Sequence, residues 1–254
     1  MLSRRSFIRS SGLYASSGAL AASLTLCCRD LPAQEMRSVP PQFDHLIVGA
    51  RDLEEGIAYL EKLSGYRAAY GGAHPGRGTC NALLKLGHLS YLEILAPDPQ
   101  QSALAWHKEL PTLEEPCLVG WALRGTHING TAPRKPGGNL IGPIPGSRTL
   151  PNGETLRWTL LLREDDRAGI LPFFIEWDPH SMHPSDNAPG GCLILDLHRT
   201  GQLVETPPSK PGLHIRKDAS KPVQLRATIA GQLGEFVLTS KSVPSETWSP
   251  PELP

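Results

Sequence analysis

The chain has no surplus of charge of either sign: 25 Lys and Arg stand against 25 Asp and Glu. Without a basic field nothing attracts a polyphosphate backbone, so nucleic acid is excluded as a partner class. Cysteine is sparse, five in 254 residues. Cys80, Cys117 and Cys192 lack the paired spacing of a metal site, and small buried thiols in strands are a better reading of them than the one disulfide they allow. There is no strand-turn-helix serine elbow, which removes Ser-His-Asp hydrolysis. The glycine-rich stretch at 71–78 lacks the spacing of a dinucleotide or phosphate loop, so a nucleotide is not expected. What the chain does have is glycine and proline, 25 of each, which predict many turns and a β-rich fold with few long helices. A hydrophobic share of 39% and a charged share of 20% are those of a globular protein. Its length allows one or two domains.

The first residues read as an address. Ser3-Arg4-Arg5-Ser6-Phe7-Ile8-Arg9 precedes an uncharged run at 10–28, and the two together resemble a bacterial twin-arginine export signal over 1–33. The expected partner is the twin-arginine export machinery, and the expected location is periplasmic or secreted. Leu24-Thr25-Leu26-Cys27 is similar to a lipoprotein cleavage site, but Leu26 stands where a small residue is usual, so lipid anchoring is not favoured. Residues 34–42 read as a linker, with Pro40 and Pro41 opposing regular structure, and residues 242–254 as a loose tail.

The rest is organised around residues 43–98, which read as strand, helix and three strands. Residues 43–48 form a short, mainly apolar run. Asp52 then caps a helix whose Leu53, Ile57, Leu60 and Leu63 recur at helical spacing, with Glu55 answering as a capping box and Gly65 as the stop. Residues 79–86 and 89–95 alternate as strands. If Leu46, Val48, Leu92 and Ile94 pack under the helix, His45 and Glu93 share the opposite face of the sheet. An imidazole and a carboxylate there have the character of two metal ligands in half a cup.

The ordered motifs Phe43-Asp44-His45-Leu46, Gly71-Gly-Ala-His74-Pro-Gly-Arg-Gly78-Thr79-Cys-Asn81 and Tyr91-Leu92-Glu93 resemble the glyoxalase-like proteins of the vicinal oxygen chelate superfamily. Arg148 to Gly153, Arg157-Trp158 and Pro172 to Trp177 extend the likeness. The resemblance implies an α+β fold of paired βαβββ modules forming a cupped mixed sheet. The modules would span about 43–110 and 116–200, followed by a β extension at 201–241. The second module is expected to be degenerate, because 125–145 is too rich in glycine and proline for its helix. A short helix is expected at 101–109. Later strands are expected at 117–123, 154–162, 170–177, 192–197, 213–216, 223–229 and 235–239.

The resemblance also implies a divalent metal (Zn, Fe, Mn or Ni), with His45, Glu93 and Glu176 as ligands and with His74 or His183 available from loops. Gly120 and Trp121 stand where a fourth ligand would be wanted. Arg148 or Arg157 could instead satisfy Glu93 with no metal at all. Glu93 and His74 are the candidate proton movers. Thr79, Asn81, Tyr91, Trp158, Trp177 and His183 are candidates for substrate binding. The amides of the glycine loop around His74 could receive an anionic or carbonyl oxygen. The implied activity is metal-dependent lyase or isomerase chemistry on a small oxygenated molecule, or ring-cleaving dioxygenase chemistry if two histidines and a carboxylate assemble. The alternative is a non-catalytic periplasmic binder. A homodimer is compatible with either.

Overall fold

The computed structural model describes residues 39–102, 104–128, 140–150, 152–163, 169–200 and 222–242. The export signal, most of the linker, the strand expected at 213–216 and nearly all of the tail lie outside them. So does the centre of the segment at 125–145.

Strand β1 (Phe43–Gly49) leads into helix α1 (Leu53–Ser64). The Asp52 carboxylate accepts the Glu55 amide at 3.0 Å, and Gly65 closes the helix with φ 79°, a left-handed conformation that glycine adopts without strain. The reciprocal half of the expected capping box does not form, because the Glu55 carboxylate is taken by Arg51 at 2.7 Å. Strands β2 (Ala69–His74), β3 (Thr79–Gly87) and β4 (Ser90–Pro97) complete the first module. The face of α1 carrying Ile57 and Leu60 packs on Leu46, Val48, Leu92 and Ile94, as the alternation predicts. Each such side chain contributes about 1.5–3 kcal/mol on burial, so Leu60→Ala would cost about 2–5 kcal/mol.

The second module comprises β5 (Cys117–Arg124), β6 (Leu140–Thr149), β7 (Thr155–Arg163) and β8 (Phe173–Trp177). All eight strands form one sheet in the order β2-β3-β4-β1-β5-β8-β7-β6. β1 pairs parallel with β4 and β5 parallel with β8, while β1 and β5 run antiparallel at the centre. Each half therefore repeats the other's strand order.

Three elements depart from expectation. β6 holds Pro143 and Pro145, which argue against a strand; it is tolerated because it is an edge, where a missing N–H breaks only one ladder, and the register shifts between Ile141 and Ile144. The helix expected at 101–109 is absent from the described residues, and a short 3-10 turn at Leu110–Thr112 follows instead. There the Gln101 side chain and the Ala105 amide are bonded to the β2–β3 loop, which competes with helical pairing. β8 starts at Phe173, just beyond Pro172.

A second, three-stranded sheet, ordered β11-β10-β9, comprises β9 (Leu193–Thr200), β10 (Gln224–Gly231) and β11 (Gly234–Thr239). Its Leu197, Leu225, Ile229 and Leu238 join α1 in one core with Leu118 and Trp121 of β5. An isolated bridge ties Leu118 to Ser240. This sheet thus packs on the convex side of β5, the place a second module's helix would take. Cys80, Cys117 and Cys192 are free thiols.

Candidate active site

The concave face collects the polar side chains. A bulge between Phe43 and His45, where β1 slips against β5, lets the consecutive residues Asp44 and His45 serve one cluster instead of opposite faces. Asp44 is 0% exposed. A bare carboxylate so buried costs several kcal/mol, but this one accepts from His45 Nδ1 at 2.7 Å and from His183 Nε2 and Trp177 Nε1 at 3.3 Å. Arg124 lies 3.8 Å away. Burial works to raise its pKa, but the hydrogen bonds from His183 and His45 and their charges outweigh it and hold the group at about 2. With Nδ1–H committed to Asp44, His45 presents Nε2 to the cup. Its ring is stacked on Tyr91 at 4.6 Å and edged by Phe173.

Glu93, on β4, is reached through a chain of donors whose directions are forced. Arg148 can only donate, and it does so to Asn81 Oδ1. That fixes the Asn81 amide with Nδ2 toward Glu93 Oε1 at 2.6 Å and His74 Nε2 at 3.3 Å. His74 then accepts at Nε2 and donates from Nδ1 to Thr79 Oγ1 at 2.9 Å. Burial pushes the His74 imidazole down to about 4, Arg148 and Arg77 adding to it against the pull of Glu93, so it is neutral at pH 7. Burial would raise the Glu93 pKa, but His74, His45 and the Asn81 hydrogen bond hold it below the ordinary value. Its second oxygen, Oε2, faces His45 Nε2 at 3.7 Å, a gap too wide for a hydrogen bond and suited to a shared ligand atom.

Arg148 reaches Asn81 from β6 across the opposite edge of the sheet. A Cβ at Gly71 would stand 2.4 Å from Asn81 Oδ1 and 2.5 Å from Arg148 Nη1, so glycine there is the opening through which the contact is made.

The structure brings together His45, His74, Thr79, Asn81, Tyr91 and Glu93, with Trp158 and Trp177 as walls. It does not bring Glu176 to them. Phe173, Ile175 and Trp177 take the inward positions of β8, and Glu176 turns the other way to accept the amides of His127 and Ile128 at 2.9 and 2.6 Å. His183 lies behind the site on Asp44 and lines a separate cavity. The glycine-loop amides are not free either, since Gly76 and Gly78 both donate to Gln101 Oε1.

The divalent ion implied by the resemblance is poorly matched. Opposite His45, β5 supplies Ala122, and Trp121 turns away to donate to the Ile170 carbonyl. The Asn81 amide already occupies the space between Glu93 Oε1 and His74. Among the described residues no group of three His, Cys, Asp or Glu is placed to hold a metal ion. Asp44, Arg77 and Phe173 lie in the sequence motifs but are not expected there as site residues; the Phe-Asp-His run is the one available sign of Asp44.

The cavity measures about 240 Å³, below the ~300–1,000 Å³ of drug-sized sites, so its occupant is small. One wall is His45, His74, Asn81 and Glu93; the other is Leu160, Leu162, Phe173, Ile175 and the two tryptophans.

A cupped eight-stranded sheet with such a half-polar pocket defines a protein that acts on or binds small molecules. The profile of the Glyoxalase-like domain matches residues 43–203, and the chain belongs to that family. No curated protein matches it. Among solved structures it is similar to a methylmalonyl-CoA epimerase from Mycobacterium tuberculosis, at 20% identity over 56% of this chain and 91% of that one, TM-score 0.40. A variant of the Streptomyces coelicolor methylmalonyl-CoA epimerase in complex with 2-nitronate-propionyl-CoA gives 19% identity, 56% and 99% coverage and a TM-score of 0.41. A hypothetical protein from Staphylococcus aureus gives 20% identity and a TM-score of 0.39, over 54% of this chain and 58% of that one.

Proposed function

We propose that the protein is an enzyme of the lyase or isomerase type that moves a proton on the carbon beside a carbonyl of a small molecule. Glu93 Oε2 takes the proton as the C–H bond breaks, and the bonding pair moves to the carbonyl oxygen. His45, its Nδ1–H held by Asp44, is the group placed to give a proton from Nε2 to the enolate oxygen that results. Return of the proton to carbon restores the Glu93 carboxylate, so no oxidant or reductant is consumed. The observation that carries this reading is the 3.7 Å gap between Glu93 Oε2 and His45 Nε2, with the far atom of each group pinned by Asn81 and by Asp44. The Arg4-Arg5 signature supports action in the periplasm or outside the cell.

The test is exchange of carbon-bound hydrogen in D2O, followed by NMR across a panel of small ketones and 2-oxo acids. Glu93→Gln should slow exchange by about 10²–10⁴-fold. Exchange indifferent to Glu93→Gln and His45→Ala would overturn the reading. A non-catalytic binder is the second reading, favoured by a second module whose strands give the cup mostly apolar residues; it predicts ligand binding with no exchange at all.

A further inference from the structure

We infer that the ligand of this pocket is a small carboxylate with an apolar body, and that Arg77 receives the carboxylate. The inference deepens the proton-transfer reading by naming the substrate class, and it rests on the same cavity.

Arg77 stands in the β2–β3 loop and lines the cavity beside His74 and Glu93. Its guanidinium lies over the Trp106 ring at 4.1 Å and 5.9 Å from that of Trp158. Its one side-chain hydrogen bond is to the Pro145 carbonyl at the limiting distance of 3.5 Å, and no carboxylate among the described residues pairs with it. With its Cζ over Trp106 and one weak bond to Pro145, the guanidinium keeps donors for a ligand, and its planar fork can grip a carboxylate with two parallel hydrogen bonds. Burial disfavours the Arg77 charge, and Glu93 answers it across the cavity without a hydrogen bond, so a bound anion would relieve the remaining cost.

The presentation is rigid. The Arg77 amide bonds to the His74 carbonyl at 3.1 Å, and its own carbonyl accepts the Ala105 amide at 3.0 Å. A Cβ on Gly146 would lie 2.4 Å from the Trp158 indole nitrogen and 2.9 Å from Arg77 Nη2, so β6 is cut back to admit the pair. Among the described residues that line the cavity, Glu93 is the one carboxylate, facing Arg77 and Arg148. A carboxylate fits better than a phosphate, because the loop amides that would cradle a phosphate are spent on Gln101. The apolar body then lies on Leu160, Phe173 and Trp177, and the carbonyl falls to His45 and Glu93.

The test uses 4-methyl-2-oxopentanoate and its uncharged amide, with binding read from the fluorescence of the pocket tryptophans. The acid should bind about tenfold or more tighter than the amide. Arg77→Gln should abolish that preference, and Arg77→Lys should restore it only in part; thermal melts establish that both variants fold. An acid that binds no tighter than the amide in the unaltered protein, or fails to bind, overturns the inference, whatever the variants do. So does a preference for inorganic phosphate over the acid, or an acid preference that survives Arg77→Gln. Arg77-dependent binding without hydrogen exchange would sink the catalytic reading and leave this one standing. Exchange that ignores Arg77 would do the reverse.

Discussion

The two halves of the cup share a strand order and differ in almost everything they show to the cavity. The first module turns His45, Asn81, Tyr91 and Glu93 inward; the second turns Ala122, Leu160, Phe173, Ile175 and Trp177. The lesson is that a repeated backbone need not repeat chemistry. Buried polar groups are tolerable only when nearly every donor and acceptor is matched, and the first half carries most of such a network, with Arg148 of β6 and Trp177 of β8 reaching in from the second. The other half, Arg148 and Arg163 apart, can then be a largely apolar wall, whose low polarity strengthens the electrostatics it faces.

The largest effect should come from cutting the network in the polar half. Asn81→Leu leaves Glu93 and Arg148 buried without their shared partner and should cost about 3–5 kcal/mol in denaturant unfolding. A loss no larger than that of a typical surface substitution would show that the two halves are less different than they look. A smaller effect is expected from pH. The His74 pKa lies at about 4 in the folded protein against an ordinary 6.5, so the unfolded chain binds more protons between those values. Stability should therefore fall as pH drops from about 6.5 toward 4, by up to about 3 kcal/mol, and His74→Gln should flatten that window. The depressed Asp44 and Glu93 add to the loss lower still: their stabilisation is present above the ordinary carboxylate range and is lost as pH falls through their folded values. The smallest effect belongs to the apolar half. Glu176→Gln should cost about 1–2 kcal/mol, because one of the two amides that the separate carboxylate oxygens accept loses its acceptor, and should leave hydrogen exchange unchanged. Loss of activity in that variant would return Glu176 to the site.

Much of the fold is readable because periodicity is enforced by burial. The faces of β1, β3 and β4 follow from Leu46, Leu84 and Leu92 needing to meet α1, and this puts His45, Asn81 and Glu93 in the cup. Asp44 escapes because strict alternation sends it outward, and the bulge that recruits it depends on pairing with β5. Glu176 is misassigned because nothing local fixes the phase of β8, where aromatic residues occur on both faces. β6 is hidden by its prolines, and with it the route by which Arg148 satisfies Glu93. The sequence can name Arg148 as a partner, but not Asn81 as the go-between.

That route has a consequence for how the protein would fail. Arg148 and Asn81 come from opposite margins of the sheet, which meet where Gly71 leaves room. Alignment of the Glu93 carboxylate is thus hostage to a seam, and edge strands are the first part of such a sheet to breathe. On warming, function should lapse while the cores around α1 and the C-terminal sheet are still intact.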